Sequence, residues 1–207
     1  MSTQETAVQL EIQAVSARYK ICTSLHETFN LDSNSIVFDI GGYKGWWSKK
    51  IYDRYGCTIH IFEPIMEYVL ELRRLFADTP KVIIHPYAVS ISAGRVPITK
   101  TGDTSSLSEC PYAGTDWVDA VSFSDAYKLA GVTAVDLLEM NIEGHEYILL
   151  DHIIRSSVIA TVKTLQVQFH RNSTTYVQEW LRLREALMQT HYNTFTFPFM
   201  WEEWVRL

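Results

Sequence analysis

The stretch Ser35 to Glu63, SIVFDIGGYKGWWSKKIYDRYGCTIHIFE, constrains the fold more than any other part of the chain. An apolar run, Ile36-Val37-Phe38, ends on Asp39. A glycine loop follows, Gly41-Gly42-Tyr43-Lys44-Gly45, and then a helix-like segment from Trp46 to Tyr55. Gly56 marks a turn, and a second β-rich run, Thr58 to Phe62, ends on Glu63. Strand, tight loop, helix, strand and acid is the first half of a nucleotide-binding α/β unit. Glycines in such a unit let the backbone approach a ligand at the carboxyl edge of the first strand. An acid at the end of the second strand is placed to accept hydrogen bonds from a ribose.

The loop chooses between cofactors. Dinucleotide folds use G-x-G-x-x-G, whereas this chain has D-x-G-x-x-x-G with Asp39 beside the loop. An acid there repels a pyrophosphate and suits a ligand that carries an ammonium and a sulfonium. The expected cofactor is therefore S-adenosylmethionine.

The remaining pattern repeats the theme. Pro64 opens a helix to about Phe76, with Val69, Leu72 and Phe76 inward. A third strand runs over 81–85, and Tyr87 to Ser90 leads out of it past the expected adenine position. Gly94, Val96 and Ile98 suggest a short hairpin, and 99–116 reads as a long polar loop on the substrate side. Further strands are expected at 118–123, 134–141, 162–169, 192–197 and 201–207. Helices are expected at about 124–130, 145–154 and 174–189, the last with a Thr175–Gln178 capping box. Val8, Ile12, Val15, Tyr19, Cys22 and Phe29 give an apolar stripe over 4–29. The fold class is α/β, Rossmann-like, with a mostly parallel seven-stranded sheet and helices on both faces. A helical segment over 1–34 would pack on a single core domain, 35–207.

A second constellation lies at 137–146, LLEMNIEGHE. Glu139, Asn141 and Glu143 alternate, so in a strand they would share one face, a costly arrangement unless they line a cavity. Glu143 and Glu146 also suit a helix N-terminus, which is the purely structural alternative. His170 follows the strand QVQF and is the best general-base candidate, with His145 second. His145, Glu146 and His152 lack H-x-x-x-H spacing, so no metal site is expected. Trp201 and Trp204 suit either stacking on a sugar or burial of the C-terminal edge.

Composition narrows the partners. A formal net charge of -6 argues against a chain that lives on nucleic acid. Cys22, Cys57 and Cys110 form no C-x-x-C pair, which fits a reducing, cytoplasmic setting without structural zinc. No signal peptide or membrane span is expected. The sequence leaves the assembly open, a homodimer included.

These motifs resemble the FkbM-type S-adenosylmethionine-dependent methyltransferases over roughly residues 35–170. VFDIGGYKGWWS resembles that family's D-V-G-A-N-x-G loop, IFEP its second-strand motif, and YAVS the segment after its third strand. Ser105-Ser106-Leu107 resembles a serine-rich loop, LLEMNIEGHE resembles L-L-K-I-D-V-E-G-x-E, and QVQFH resembles a later strand ending in E-x-H or E-F-H. The resemblance implies a Rossmann-like class I methyltransferase fold and O-methylation of a hydroxyl on a small molecule, sugar or glycan. It implies cofactor contacts from Asp39, Gly41, Gly42, Tyr43, Gly45, Glu63 and Ser90. Asn141, Glu143 and His170 would frame the methyl group and the acceptor.

The chain also departs from the pattern. Gly42-Tyr43 replaces Ala-Asn, Glu139 replaces lysine, Asn141 replaces aspartate and Gln168 replaces glutamate. Amides at two expected carboxylates weigh against a metal-assisted mechanism. They leave open a cofactor-binding module without catalysis. A nicotinamide oxidoreductase would need the absent G-x-G-x-x-G loop.

Overall fold

In a computed structural model, residues 27–99, 106–107, 116–171 and 174–207 are described. The chain folds around a seven-stranded sheet in the spatial order β10-β11-β9-β8-β1-β2-β3. These strands are β1 (Ile36–Ile40), β2 (Thr58–Phe62), β3 (Val82–His85), β8 (Val135–Met140), β9 (Val162–Val167), β10 (His191–Phe197) and β11 (Trp201–Arg206). β11 pairs antiparallel with both β9 and β10, while β1, β2, β3, β8 and β9 run parallel. The chain first builds outward from β1 through β2 to β3. It then returns to the other side of β1 with β8 and β9. The carboxyl ends of β1 and β8 thus flank the point where the winding reverses, where open α/β sheets hold ligands.

Alternation along the strands sorts residues to two apolar faces. On one face, Phe38, Ile40, Leu138, Met140, Leu165 and Val167 are buried in the larger cluster. It includes residues of α3 (Phe123–Ala130), α4 (Glu146–Arg155) and α5 (Tyr176–Leu187). On the other, Val37, Ile59, Ile61 and Leu137 meet Ile51 of α1 (Trp46–Tyr55) and Leu72 of α2 (Met66–Leu75). Both tryptophans after the glycine loop behave as amphipathic helix starts do: Trp46 is 73% exposed, and Trp47 packs edge-on against Phe29.

The sequence pattern predicted a hairpin at 94–98. The structure instead has a second, four-stranded sheet in the order β4-β7-β5-β6. It comprises β4 (Ala88–Ser90), β5 (Gly94–Thr99), β6 (Ser106–Leu107) and β7 (Asp116–Ser122). β5 runs antiparallel to β7 along five registered pairs and meets β6 only at its end. The reason is burial: Ala88, Ile98, Val118 and Ala120 form a small core with Ile65 that a lone hairpin could not enclose. Among the described residues this sheet sits between β3 and β8 in the chain and supplies one wall of the site.

One local expectation changes. The Thr175–Gln178 capping box does not form: the Thr175 side chain caps no backbone amide, and its hydroxyl donates to Glu179 Oε1 at 2.7 Å. Gln178 stands at the third helical position, as a box requires, but Thr175 has φ of -109° and ψ of 8° instead of the extended backbone from which a capping side chain reaches the first turn. The apolar stripe expected over 4–29 lies outside the described residues except for 27–29. The same holds for most of the loop over 99–116.

Candidate functional site

The glycine loop closes tightly onto β8 and β2. Gly41 donates its amide to the Phe62 carbonyl at 3.0 Å and has φ of 97°, a left-handed backbone that glycine alone adopts without strain. A Cβ on Gly41 would stand 2.1 Å from the backbone oxygen of Asn141. Gly42 abuts Ile61, and Gly45 ends the loop as the left-handed residue that starts α1. These contacts leave no room for a side chain at 41, 42 or 45 without a shift of a neighbour.

Glu63 is the fixed point of the site. Its Oε2 accepts the Tyr43 amide at 2.9 Å and its Oε1 accepts the Ile65 amide at 2.8 Å. Each oxygen keeps acceptor capacity. Burial pushes this carboxyl up to about 7, against the pull of the two amides and with the charge of Asp39 acting in the same direction. Behind it, His85 stacks on Phe62 and bonds His60 at 3.0 Å; burial holds His60 down to about 4, so the pair is neutral at physiological pH.

Two cavities meet at the loop. The first encloses about 560 Å³ between Glu63, Ile65, Tyr68, Ala88, Val89 and Ile98 on one side and Gly41, Asn141 and Glu143 on the other. Tyr43 stands at its mouth, edge-on to Tyr68 at 4.6 Å. The second, about 670 Å³, is lined by Asp39, Glu139, Trp46, Trp47, Lys50 and Trp201 with the glycine loop. Gly41, Tyr43 and Asn141 border both.

Asp39, Gly41, Gly42, Tyr43, Gly45, Glu63, Asn141 and Glu143 all line one or both cavities. Ser90 does not line them: its hydroxyl pairs with His145 Nε2 at 3.0 Å, one residue beyond the lining residues Ala88 and Val89. The expected shared face of Glu139, Asn141 and Glu143 is not formed. β8 ends at Met140, and Glu143 (φ 54°) and Gly144 (φ 110°) turn the chain with left-handed backbones. Glu139 therefore faces the second cavity, Glu143 the first, and Asn141 both.

His170 is clamped between two acids. Its Nε2 lies 3.2 Å from Glu143 and its Nδ1 3.1 Å from Glu146, which is fully buried. Glu146 also accepts the backbone amides of Gly144 at 2.6 Å and of His170 at 2.7 Å. Burial works to lower the imidazole, but the hydrogen bonds that its ring donates to Glu143 and Glu146, with the charges of the two acids, prevail and raise it to about 9. His170 consequently carries its proton at neutral pH and has no free nitrogen to act as a base there. Its stabilising effect is complete below about pH 6.5, where the unfolded chain also holds the proton, and fades as pH rises through about 9. The size is on the order of 3 kcal/mol. Thermal unfolding from about pH 6.5 to about pH 10 is expected to fall steeply in the wild type and much less in His170→Gln.

Several contributing residues carried no signal in the sequence. Ile65, Tyr68 and Ile98 line the first cavity because α2 and the small sheet fold over it, and only the pairing of β5 with β7 brings Ile98 there. The apposition of Asp39 and Glu139 follows from strand register, in which the two are direct partners. Each was visible as an acid inside an apolar strand.

No protein-family model matches the chain, and comparison with curated proteins finds no match. Solved structures do. An rRNA methylase from Streptococcus thermophilus superposes with a TM-score of 0.53 at 10% identity, covering 86% of this chain and 89% of that one. A fibrillarin pre-rRNA processing protein from Methanococcus jannaschii gives 0.52 at 10% identity over 86% and 69%. The fibrillarin of a fibrillarin/Nop5p complex gives 0.53 at 11% over 87% and 76%. The fold is that of the Rossmann-like methyltransferases. At these identities the likeness speaks for the fold alone. No helix among the described residues is long and apolar enough to cross a membrane, and no cluster among them has the makings of a metal site.

Proposed function

We propose that this protein is an S-adenosylmethionine-dependent O-methyltransferase of the FkbM type, acting on a hydroxyl of a small molecule or carbohydrate. The observation that carries the reading is Glu63: a buried carboxylate at the end of β2, oriented by two backbone amides, opening onto a cleft walled by a glycine loop. Its remaining acceptor positions suit the two ribose hydroxyls of an adenosyl group. Ile65, Tyr68, Ala88, Val89 and Ile98 offer an apolar slot for the base. The unpartnered, buried Oδ1 of Asn141, a residue that borders both cavities, fits the amino-acid end. The cofactor, when bound, supplies an electrophilic methyl group on sulfur.

The chain's own task is to position a hydroxyl and remove its proton. Glu143 replaces His170 in the second role: its carboxylate borders the first cavity, while the imidazolium of His170 holds it in place from behind. Glu146, anchored on three N–H groups, fixes His170. His170 is in this reading a positioning residue. Transfer of labelled methyl from S-adenosylmethionine to a panel of sugars and hydroxylated metabolites tests the proposal. Glu143→Gln is expected to lower kcat by about 10²–10⁴-fold. Equal turnover by wild type and Glu143→Gln on a true acceptor contradicts the assignment.

The acceptor class is read from charge. The net charge of -6 and the acids around both cavities oppose a polyphosphate chain. Solved structures sharing the fold include proteins named as rRNA methylases, so the fold itself does not separate the two classes. A structured RNA therefore belongs in the panel, and salt-sensitive methylation of it would replace the small-molecule reading. A second reading, a cofactor-binding module without catalysis, is favoured by the amides Asn141 and Gln168. Asn141→Asp with Gln168→Glu would then create turnover that the wild type lacks.

A further inference from the structure

The floor of the second cavity contains an acid pair that the methyl-transfer scheme leaves unused. Asp39 on β1 and Glu139 on β8 are register partners on neighbouring strands, 2% and 3% exposed, and both line the cavity. As direct partners on neighbouring parallel strands their side chains stand side by side on one face of the sheet. Two carboxylates accept only, so a hydrogen bond between them requires that one of them hold a proton. The Ser48 hydroxyl donates to Asp39 Oδ2 and marks Asp39 as the acceptor of the pair.

Burial raises both acids, and no cation draws either back among the described residues. From the loop and α1, Lys44 and Lys50 line the same cavity, and Lys50 is bound to Glu27. From β2, Glu63 feels the charge of Asp39. From β9 comes only Gln166, register partner of Glu139, and beyond it on β11 stands Glu203, partner of Gln166. Tyr43 of the loop and Glu27 also line the cavity.

An independent observation points to a missing ligand. Gln166 is 0% exposed, and neither its amide nitrogen nor its oxygen has a hydrogen-bond partner. It lies on the face of Asp39 and Glu139, one strand along. Asn141, at the rim of the same cavity, also has a buried Oδ1 without a partner. Buried amides are normally satisfied, so the orphan Oδ1 of Asn141 in the cavity wall points to a polar group that belongs there, with the unmet amide of Gln166 next to Glu139 on the same sheet face.

We propose that Asp39 and Glu139 share one proton and form a single-charge seat for the ammonium group of an adenosyl amino acid, and that occupation of the seat expels the proton to solvent. The inference rests on the adenosyl reading of the first cavity. It assigns to Glu139, where the FkbM pattern has lysine, the setting of ligand charge and of the pH dependence of binding. Burial raises both carboxyls, Glu139 well above the ordinary range, with the charge of Asp39 adding to the rise. A raised acid makes the native state hold a proton that the unfolded chain has lost. Stability of the empty protein therefore falls as pH climbs above the ordinary carboxylate range.

Calorimetric titration near neutral pH in two buffers of different ionisation enthalpy measures the proton directly. S-adenosylhomocysteine, which carries the ammonium, is expected to release up to about one proton per site. 5′-Methylthioadenosine, which lacks the amino-acid end, is expected to release none. Glu139→Gln is expected to bind both nucleosides without release, with Asp39→Asn as the second variant should the first fold poorly. Release that persists unchanged in Glu139→Gln, or S-adenosylhomocysteine binding without release in the wild type, overturns the proposal. Failure of both nucleosides to bind overturns instead the adenosyl reading. The shared proton is then judged on the free protein: Tm is expected to drop more between about pH 5 and about pH 8 in wild type than in Glu139→Gln, and equal slopes refute it.

Discussion

Glu202→Ala is expected to lower the unfolding free energy by about 3–5 kcal/mol, the largest effect of any single truncation considered for this fold. Glu202 is 1% exposed on the face of β11 that meets α5. Its carboxylate accepts from Arg184 at 2.7 Å and from the indole nitrogens of Trp180 at 2.5 Å and Trp204 at 2.9 Å. The Arg184 guanidinium lies over both indole rings, 4.7 Å and 5.1 Å from their centroids. Burial raises the Glu202 carboxyl, and Arg184 with the two indoles draws it back. Removing it leaves a buried cation and two buried N–H donors without an acceptor. Urea unfolding should show a lower midpoint with an unchanged slope. The exposed Lys49–Asp53 pair is the control: Asp53→Ala is expected to change stability by less than about 0.5 kcal/mol.

Gly41→Ala is expected to disable the site while leaving most of the fold. The methyl group would enter 2.1 Å from the Asn141 carbonyl at a backbone φ of 97°. The left-handed conformation alone costs about 1–3 kcal/mol for a residue with a Cβ. Relief requires moving the β8 end away from β1, and with it Asn141 and the turn that presents Glu143. A loss of about 2–3 kcal/mol in ligand binding, on the order of 100-fold in Kd, is the expected reading from titration with S-adenosylhomocysteine. Circular dichroism should remain that of an α/β protein.

The fold was legible because its signals are local and redundant. Apolar runs ending in Asp39 and Glu63, glycines at 41 and 45, and helix stripes such as Val69-Leu72-Phe76 each have one economical solution, and their order fixes a parallel sheet. Glu63, Gly41 and Asn141 were legible for the same reason: each stands at a strand end, and strand ends can be counted. What escaped depends on which strands become neighbours. The partner of β5 is β7, across a segment of polar residues, and periodicity does not carry that choice. His170 had the position of a base, but its protonation is set by Glu143 and Glu146, brought to it by a left-handed turn. Asp39 and Glu139 could be read as acids, yet their sharing of a proton is a matter of register.

The most direct test is thermal unfolding of wild type and Glu63→Ala, each with and without S-adenosylhomocysteine, with NAD in parallel. At about 100 times its Kd the ligand should stabilise the wild type by about 2.7 kcal/mol. For a chain of this size that is a rise in Tm of roughly 5–11 °C. The account requires that rise, its loss in Glu63→Ala, and no response to NAD. An unmoved Tm with S-adenosylhomocysteine, or a rise that survives Glu63→Ala, would contradict the central claim that Glu63 and the glycine loop form an adenosyl site.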